Sequence, residues 1–147
     1  MMKAWLPALC SLLLVASCGS KTATPAPAPP APPQIERLTL NIRTVAGVND
    51  GRSVRLLVRQ VAAKQFLTET YAAVVAVAEK PDDTLLADQL LRPSTSIQLT
   101  LPLVAGSSIG VYFFFSQPQA DGWRLLVPAK LGEVTVQAQQ HSAYLVQ

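Results

Sequence analysis

The chain has 147 residues, with 12 basic and 9 acidic side chains and a formal net charge of +3. This charge is too small and too scattered for a nucleic-acid surface, which needs clustered lysine and arginine. A single histidine and two cysteines exclude the usual His/Cys zinc clusters, and the length predicts one domain with a single core.

The N-terminus has the features of a bacterial lipoprotein signal. A basic start at Lys3 precedes an apolar run over residues 4–16, which has the length of a secretory signal and is too short to span a membrane. The order Val15-Ala16-Ser17-Cys18 matches the lipobox, in which small residues precede a cysteine that accepts diacylglycerol. We therefore expect removal of residues 1–17 and acylation of Cys18, whose several acyl chains anchor far more firmly than a single one.

An unmodified cysteine near a secretory cleavage site is the alternative reading of Cys18. Gly19 follows it, and not the aspartate that in enteric bacteria tends to hold a lipoprotein at the inner membrane. By resemblance to that sorting rule, we expect the periplasmic face of the outer membrane. Because Cys10 leaves with the signal and Cys18 is acylated, no disulfide is expected. We expect no cofactor apart from the diacylglycerol and N-acyl lipid bound covalently to Cys18.

Proline and alanine dominate residues 21–34, a composition that cannot build a core or a helix. It predicts a polyproline spacer that reaches on the order of 40 Å, with a proline-rich ligand segment as the alternative. The expected organisation is a signal peptide over residues 1–17, a lipidated cysteine and linker over 18–34, and a folded domain over 35–147.

Alternating apolar residues predict the first two strands, over residues 36–45 and 53–61. The residues between them include an Asn-Asp-Gly sequence, whose members tolerate positive φ and predict a loop. In the second strand Arg55 and Arg59 alternate with the apolar residues. We therefore expect both arginines on a solvated face.

A repeat every four residues replaces the alternation over residues 64–77 and predicts a short helix from about 67 to 75. Residues 84–91 are expected to form a second short helical or irregular piece, whose leucines fill one end of the core. Near it, Asp82, Asp83 and Asp88 lack the alternating ligands of a calcium loop. We expect them to form a solvated acidic cap.

The strand pattern then continues to the end of the chain. Pro102 indicates a sheet edge. The run over residues 109–115 is apolar on both faces. Its aromatic residues are therefore expected in the core and not on a stacking platform for bases or sugars. His141 is expected in a solvated turn. About seven strands and one helical insertion after the second predict a mainly β protein, a two-sheet β-sandwich. The later strands are predicted over residues 97–103, 109–115, 123–127, 133–138 and 142–146.

A series of short motifs resembles the TssJ (SciN-like) lipoproteins of bacterial type VI secretion systems. The likeness covers most of residues 38–127, and the lipobox agrees with it. The chain departs from the family pattern at Ser53, Arg59, Val61, Ser94 and Ser116, and its spacer is longer. The matching motifs are Asn49-Asp50-Gly51-Arg52, residues 54–58, Gln60, Phe66, Tyr71, residues 86–90, Pro93, residues 101–103, Ile109-Gly110-Val111 with Phe115, and Trp123-Arg124.

The resemblance implies a transthyretin-like β-sandwich at the outer membrane, without catalytic activity. It also implies binding to the periplasmic C-terminal part of the inner-membrane subunit TssM, which tethers the envelope-spanning complex to the outer membrane. In the family the loop between the first two strands takes part in that contact. The resemblance therefore assigns partner binding to Val48, Asn49, Asp50, Gly51 and Arg52, with an ordinary hairpin turn as the alternative.

Two other classes of function are weighed against this one. A periplasmic-facing lipoprotein that binds a small ligand or a glycan would need a deep aromatic-lined pocket in the sandwich. An enzyme would need a nucleophile and a base within reach of each other, and the single histidine does not favour that arrangement.

Overall fold

The computed structural model describes residues 35–128 and 132–146. The signal peptide, the lipidated cysteine and the linker predicted over residues 1–34 lie outside the described residues.

The described residues form a mainly β domain of two four-stranded sheets with one shared hydrophobic core. Sheet A has the strand order β4-β1-β7-β8, and sheet B has the order β3-β2-β5-β6. Two helices, α1 (Ala63–Thr68) and α2 (Tyr71–Glu79), follow the second strand. The predicted sandwich and its helical insertion are therefore confirmed. The strands are β1 (Ile35–Thr44), β2 (Val54–Val61), β3 (Leu85–Leu91), β4 (Ser96–Val104), β5 (Ser108–Phe114), β6 (Arg124–Pro128), β7 (Glu133–Ala138) and β8 (Ala143–Val146).

Strand β1 lies inside sheet A, antiparallel to β4 and parallel to β7. Its alternation is confirmed, because Leu38, Leu40 and Ile42 are buried while the residues between them face outward. Strand β4 shows the same alternation and carries Pro102 at the free edge of the sheet, where a missing N–H costs no ladder hydrogen bond.

Strand β5 is central in sheet B and is buried on both faces, as predicted. Phe113 points into the space between the sheets, and Tyr112 points to the opposite face, where it packs on Phe66 of α1 and on Trp123. Gly110 leaves room for this ring, since a Cβ at that position would clash with Tyr112. The aromatic run is therefore core.

The prediction for residues 84–91 is wrong, because Leu85–Leu91 is the edge strand β3, antiparallel to β2. Leucine, alanine and glutamine favour a helix locally, but the unpaired edge of β2 determines the conformation. The leucines do not fill the core as a group either. Leu91 is buried, while Leu90 is exposed over 69% of its surface.

The expected solvated face of β2 is also wrong for Arg59, which is buried beneath the helices. Its guanidinium lies 3.0 Å from the Glu69 carboxylate and donates a 2.9 Å hydrogen bond to the Thr84 hydroxyl. The predicted helix is two helices with a break at Glu69 and Thr70, both of which have extended backbone. The break places Glu69 over the sheet, and this explains how an arginine is tolerated there.

Of the three residues expected in a solvated acidic cap, Asp82 and Asp88 are ion-paired, and only Asp83 is exposed without an ion pair to another described residue. Asp82 lies 3.5 Å from the Arg59 guanidinium, and Asp88 receives two hydrogen bonds from Arg55, of 2.6 and 2.9 Å. The pKa of both carboxyls is lowered. The chief cause is the pair of Arg55 hydrogen bonds for Asp88 and the hydrogen bond from the Thr84 side chain for Asp82. In the described part of the chain, no group of residues has the arrangement of a metal site.

Candidate functional site

The loop over residues 46–52 carries the chain from sheet A to sheet B, so it is not a hairpin turn. Asn49, Asp50 and Gly51 all have positive φ, of 47°, 58° and 75°. Left-handed backbone costs most residues about 1–2 kcal/mol each, and Asn, Asp and Gly are the residues that accept it most easily. The Asn-Asp-Gly sequence therefore specifies one left-handed turn.

This turn divides the five residues that the sequence assigned to partner binding. Val48 and Asn49 are buried, with 0% and 6% of their surfaces exposed. Asp50, Gly51 and Arg52 are exposed and lie next to one another at the tip. The first two therefore support the loop, and the last three form its outer surface.

Asn49 connects the loop to its surroundings through four hydrogen bonds. Its Nδ2 donates to the Ser53 carbonyl at 2.7 Å, and its Oδ1 accepts from the backbone N–H and the hydroxyl of Ser116 at 2.7 and 2.8 Å. Its backbone N–H donates to the Gln140 carbonyl at 2.7 Å. One buried residue, through its side chain and its backbone N–H, therefore ties together the β1–β2 loop, the end of β5 and the β7–β8 turn.

Asp50 extends the same connection on the surface. Its carboxylate accepts a 2.9 Å hydrogen bond from the Gln140 amide and lies 3.2 Å from Nε2 of His141 and 3.5 Å from the Arg52 guanidinium. The pKa of Asp50 is lowered, chiefly by the Gln140 hydrogen bond and further by the charges of His141 and Arg52, against an opposing desolvation effect. The carboxylate is thus held ionised and in a fixed orientation.

The prediction of a solvated His141 is wrong, because only 14% of its side chain is exposed. Its Nε2 faces Asp50, while its Nδ1 is buried without a hydrogen-bond partner in the described residues. No hydroxyl or thiol nucleophile therefore bonds to the second ring nitrogen, which a Ser-His-Asp type of site would require. The histidine serves here as a support for the loop.

The β5–β6 connection joins the same end of the sandwich. The Gln119 N–H donates to the His141 carbonyl at 3.1 Å, and the Gly122 carbonyl accepts from the Ala143 N–H at 2.7 Å. The three connections therefore form one hydrogen-bonded group, which we call the loop end. It comprises residues 46–52, 116–122 and 139–142.

Backbone strain is concentrated at or beside this loop end. The non-glycine residues of the described chain with positive φ are Asn49, Asp50, Ser94 and Ala120. Ser94 adjoins the loop end, because its N–H approaches the Val45 carbonyl at 3.4 Å. Strained residues persist where surrounding contacts fix them, and they are common at binding sites. We therefore treat the loop end as the candidate site.

Sequence reasoning identified the exposed tip and missed its supports. The Asn-Asp-Gly pattern indicated a loop, but Ser116, Gln140 and His141 lie 67 to 92 positions away and carried no signal of their own. Only the topology brings them to the same end.

The cavities found among the described residues do not resemble a ligand pocket lined by aromatic rings. The largest of those described, of about 570 Å³, is a groove at one end of sheet A lined by polar side chains, among them Asn41, Gln98 and Glu133. The larger aromatic side chains, including Tyr112, Phe113 and Trp123, are buried in packing. Separately, neither α1 nor α2 is long and apolar enough to cross a membrane.

The chain was compared with known families, proteins and structures. Residues 55–137 match the family described as "IglE, N-terminal domain". This range runs from β2 to β7 and includes both helices and β3. A comparison with curated proteins gives no match.

Three solved chains share the fold. The first, from the structure described as "T6SS protein TssM C-terminal domain (869-1107) from EAEC", has a TM-score of 0.64 and 20% identity over 76% of this chain and 98% of that chain. The second is the T6SS lipoprotein TssJ1 from Pseudomonas aeruginosa, with a TM-score of 0.61 and 15% identity over 78% and 96%. The third is Serratia marcescens Lip, a membrane-bound component of the type VI secretion system, with a TM-score of 0.58 and 17% identity over 76% and 96%.

Proposed function

The chain belongs to the family of IglE N-terminal domains, and from this premise we propose that it is a lipoprotein of a type VI secretion membrane complex. In this proposal Cys18 anchors it at the periplasmic face of the outer membrane. The folded domain binds the periplasmic part of a TssM-like inner-membrane subunit and so tethers the envelope-spanning assembly.

One observation carries the proposal: the whole folded domain corresponds to the whole of two type VI secretion lipoproteins. About three quarters of this chain covers 96% of TssJ1 and 96% of Lip. The remaining N-terminal part carries a lipobox and a proline-rich spacer, which is the arrangement expected for a domain presented away from a membrane.

The partner is supported by the first of the three solved chains, which comes from a structure described as the C-terminal domain of TssM, a type VI secretion protein. A chain of the fold shared by TssJ1 and Lip thus occurs in a structure of TssM.

The contact surface that we propose includes fewer residues than the five assigned from the sequence. Asp50, Gly51 and Arg52 are exposed and would contact the partner, whereas Val48 and Asn49 are buried and would hold the loop in shape. A rigid loop loses little conformational entropy on binding, so the Asn49 hydrogen bonds favour affinity without touching the partner.

The proposed role is binding and not catalysis. The His141–Asp50 pair is the one constellation in the described residues that resembles part of a catalytic site, and its second nitrogen faces no nucleophile. The rest of the loop end consists of hydrogen bonds that fix the backbone. Such an arrangement presents a surface to a partner.

The anchor is tested by metabolic labelling of the full chain with a fatty-acid analogue. We expect label on the mature protein and none on the Cys18→Ser variant, with Cys10→Ser as a control that labels normally. An unlabelled wild-type protein would refute the lipoprotein assignment.

The partner surface is tested by recovery of a TssM-like periplasmic domain on the immobilised chain. We expect Asp50→Ala with Arg52→Ala to reduce recovery at least tenfold. The matched control, Arg43→Ala with Glu133→Ala, also removes one basic and one acidic exposed side chain, but from sheet A, and should bind normally. Equal recovery by both double variants would reject this loop as the contact.

A further inference from the structure

The free edges of the two sheets differ in how well they are protected against pairing with another strand. Natural proteins protect edges with proline, lysine or very short strands. Strand β4 carries Pro102, β6 ends at Pro128, and β8 spans only Ala143–Val146. Strand β3, over Leu85–Leu91, has none of these features. It has one bulge, at Leu86 in its pairing with β2 and so at the end away from Leu90, and no strand in the described part of the chain pairs with its outer edge.

The only charge on β3 already has a partner on the neighbouring strand. Asp88 forms a bidentate ion pair with Arg55 of the neighbouring strand, with hydrogen bonds of 2.9 and 2.6 Å. Its carboxylate therefore repels an approaching strand less than a free one would, while the exposed third of the side chain can still meet a second basic group. Two positions on, Leu90 is exposed over 69% of its surface. Because side chains two apart lie on the same face of a strand, Asp88 and Leu90 share one face.

We propose that β3 pairs antiparallel with β3 of a second copy of this chain, about a twofold axis at Leu90. In this register Leu90 lies opposite Leu90, and Asp88 lies opposite Arg92 of the second copy, which is exposed directly after the strand. The twofold repeats the Asp88–Arg92 pair on the other side. An apolar centre is thus flanked by two pairs of opposite charge, which is the complementarity that stabilises cross-strand neighbours.

The result is an eight-stranded sheet in the order β6-β5-β2-β3-β3-β2-β5-β6, in which residues 89–91 of the two β3 strands lie opposite one another. A register one pair of residues away, centred on Asp88, would place two carboxylates opposite each other and lose the arginine contacts. The charges therefore favour both a second copy of β3 as the pairing strand and the register centred on Leu90. The pairing does not depend on the proposed secretion function, since it uses only β3 and the residue after it.

The register is tested by cysteine cross-linking of the full chain in intact cells. Residues directly opposite in an antiparallel pair have Cα atoms about 4.5–5.5 Å apart, which a disulfide can bridge. We expect Leu90→Cys to give a cross-linked dimer. Thr100→Cys on the edge strand β4 is the control and should not. A dimer from Asp88→Cys in place of Leu90→Cys would overturn the proposed register, and the absence of any dimer from Leu90→Cys would overturn the proposal.

The association is tested by sedimentation of the purified full chain in detergent. We expect Leu90→Lys and Arg92→Glu each to raise the dimer dissociation constant by about tenfold or more, because each removes a cross-strand contact. Leu67→Lys is the matched control, since Leu67 is a leucine of α1 with 71% exposure. A monomeric wild-type protein at high concentration, or equal effects at Leu67 and Leu90, would refute the pairing.

Discussion

The guanidinium of Arg59 and the carboxylate of Glu69 form an ion pair 3.0 Å apart, and only 4% and 7% of the two side chains are exposed. Glu69 also accepts a hydrogen bond from the Tyr112 hydroxyl. The pair therefore joins the break between the helices to the two central strands of sheet B. Removing either partner is expected to lower stability strongly, because the remaining charge stays in the interior.

We expect Glu69→Ala to lower the free energy of unfolding by about 3 kcal/mol, the lower end of the range for breaking a buried pair, since the buried Arg59 charge keeps only the partly exposed Asp82 carboxylate at 3.5 Å. Replacing both residues, as Arg59→Met with Glu69→Leu, should restore most of that loss. Asp121→Ala is the control, because its ion pair with Arg124 is on the surface and should contribute less than about 1 kcal/mol. Urea unfolding measures all three, and similar losses for Glu69→Ala and Asp121→Ala would contradict the expectation.

Asn49 allows the backbone and side-chain roles of the loop to be separated. Asn49→Gly keeps the left-handed conformation and removes the side-chain hydrogen bonds, whereas Asn49→Ala also strains the backbone. We expect losses of about 2–3 kcal/mol for Gly and about 1 kcal/mol more for Ala. Hydrogen exchange of the Ser116 amide, which donates to Asn49, should accelerate in both variants. Unchanged exchange would show that Asn49 does not hold the loops together.

The carboxyl of Asp50 should titrate below its ordinary value of 3.8, because the Gln140 hydrogen bond and the neighbouring charges favour its ionised form. A lowered pKa means that the stabilisation is present above pH 3.8 and is lost as the pH falls through the folded-state pKa. We expect Gln140→Ala to move the Asp50 pKa upward, as followed by NMR of the carboxyl carbon. Gln117→Ala, in the adjacent loop, is the control and should leave it unchanged.

Tyr112 predicts the behaviour at alkaline pH. Burial, and then the hydrogen bond to Glu69, raise the pKa of its hydroxyl far above 10.0. A raised pKa of an acid means that its contribution is complete below about pH 10 and is lost as the pH rises above that value. Between about pH 10 and 11.5, we expect the free energy of unfolding to fall less steeply with pH for Tyr112→Phe than for the wild type. Tyr144→Phe, at a more exposed tyrosine, should unfold like the wild type.

Gly110 tests the packing of that ring. A Cβ at residue 110 would clash with the Tyr112 side chain, whereas a Cβ at Gly47 would meet nothing within 4 Å. We expect Gly110→Ala to lower the melting temperature, with a loss of about 1–3 kcal/mol, and Gly47→Ala to be nearly neutral. Because ring carbons of Tyr112 as well as its hydroxyl lie too close to such a Cβ, Tyr112→Phe should not rescue Gly110→Ala, and full rescue would contradict this packing.

Alternation of apolar and polar residues predicted correctly the strands that have one face on the core and the other exposed to solvent. One face of β1 and β4 packs on the core and the other faces outward, so Leu38 and Leu101 could be placed from the sequence. The same rule failed for Arg59, because the outward face of β2 is covered by helices. Whether a face is covered depends on where another element packs, and this is not a property of the strand itself.

The candidate site could be predicted only at its tip. Asn49 and Asp50 tolerate positive φ, and this local preference was visible in the sequence. The buried position of Asn49 and the contact between Asp50 and His141 arise because β2, β5 and the β7–β8 pair end at the same side of the sandwich. Contacts over such sequence separations carry no periodic signal.

Strand β1 is the first element of the folded domain, yet it lies between β4 and β7 and not at an edge. A mechanical load applied at Ile35, along the axis of the strand, would act on both ladders of hydrogen bonds in shear, so many bonds would have to break together. An edge strand peeled from one side would release its bonds one at a time. In the proposed anchored protein, a pull would thus enter the domain at a strand that is held on both sides.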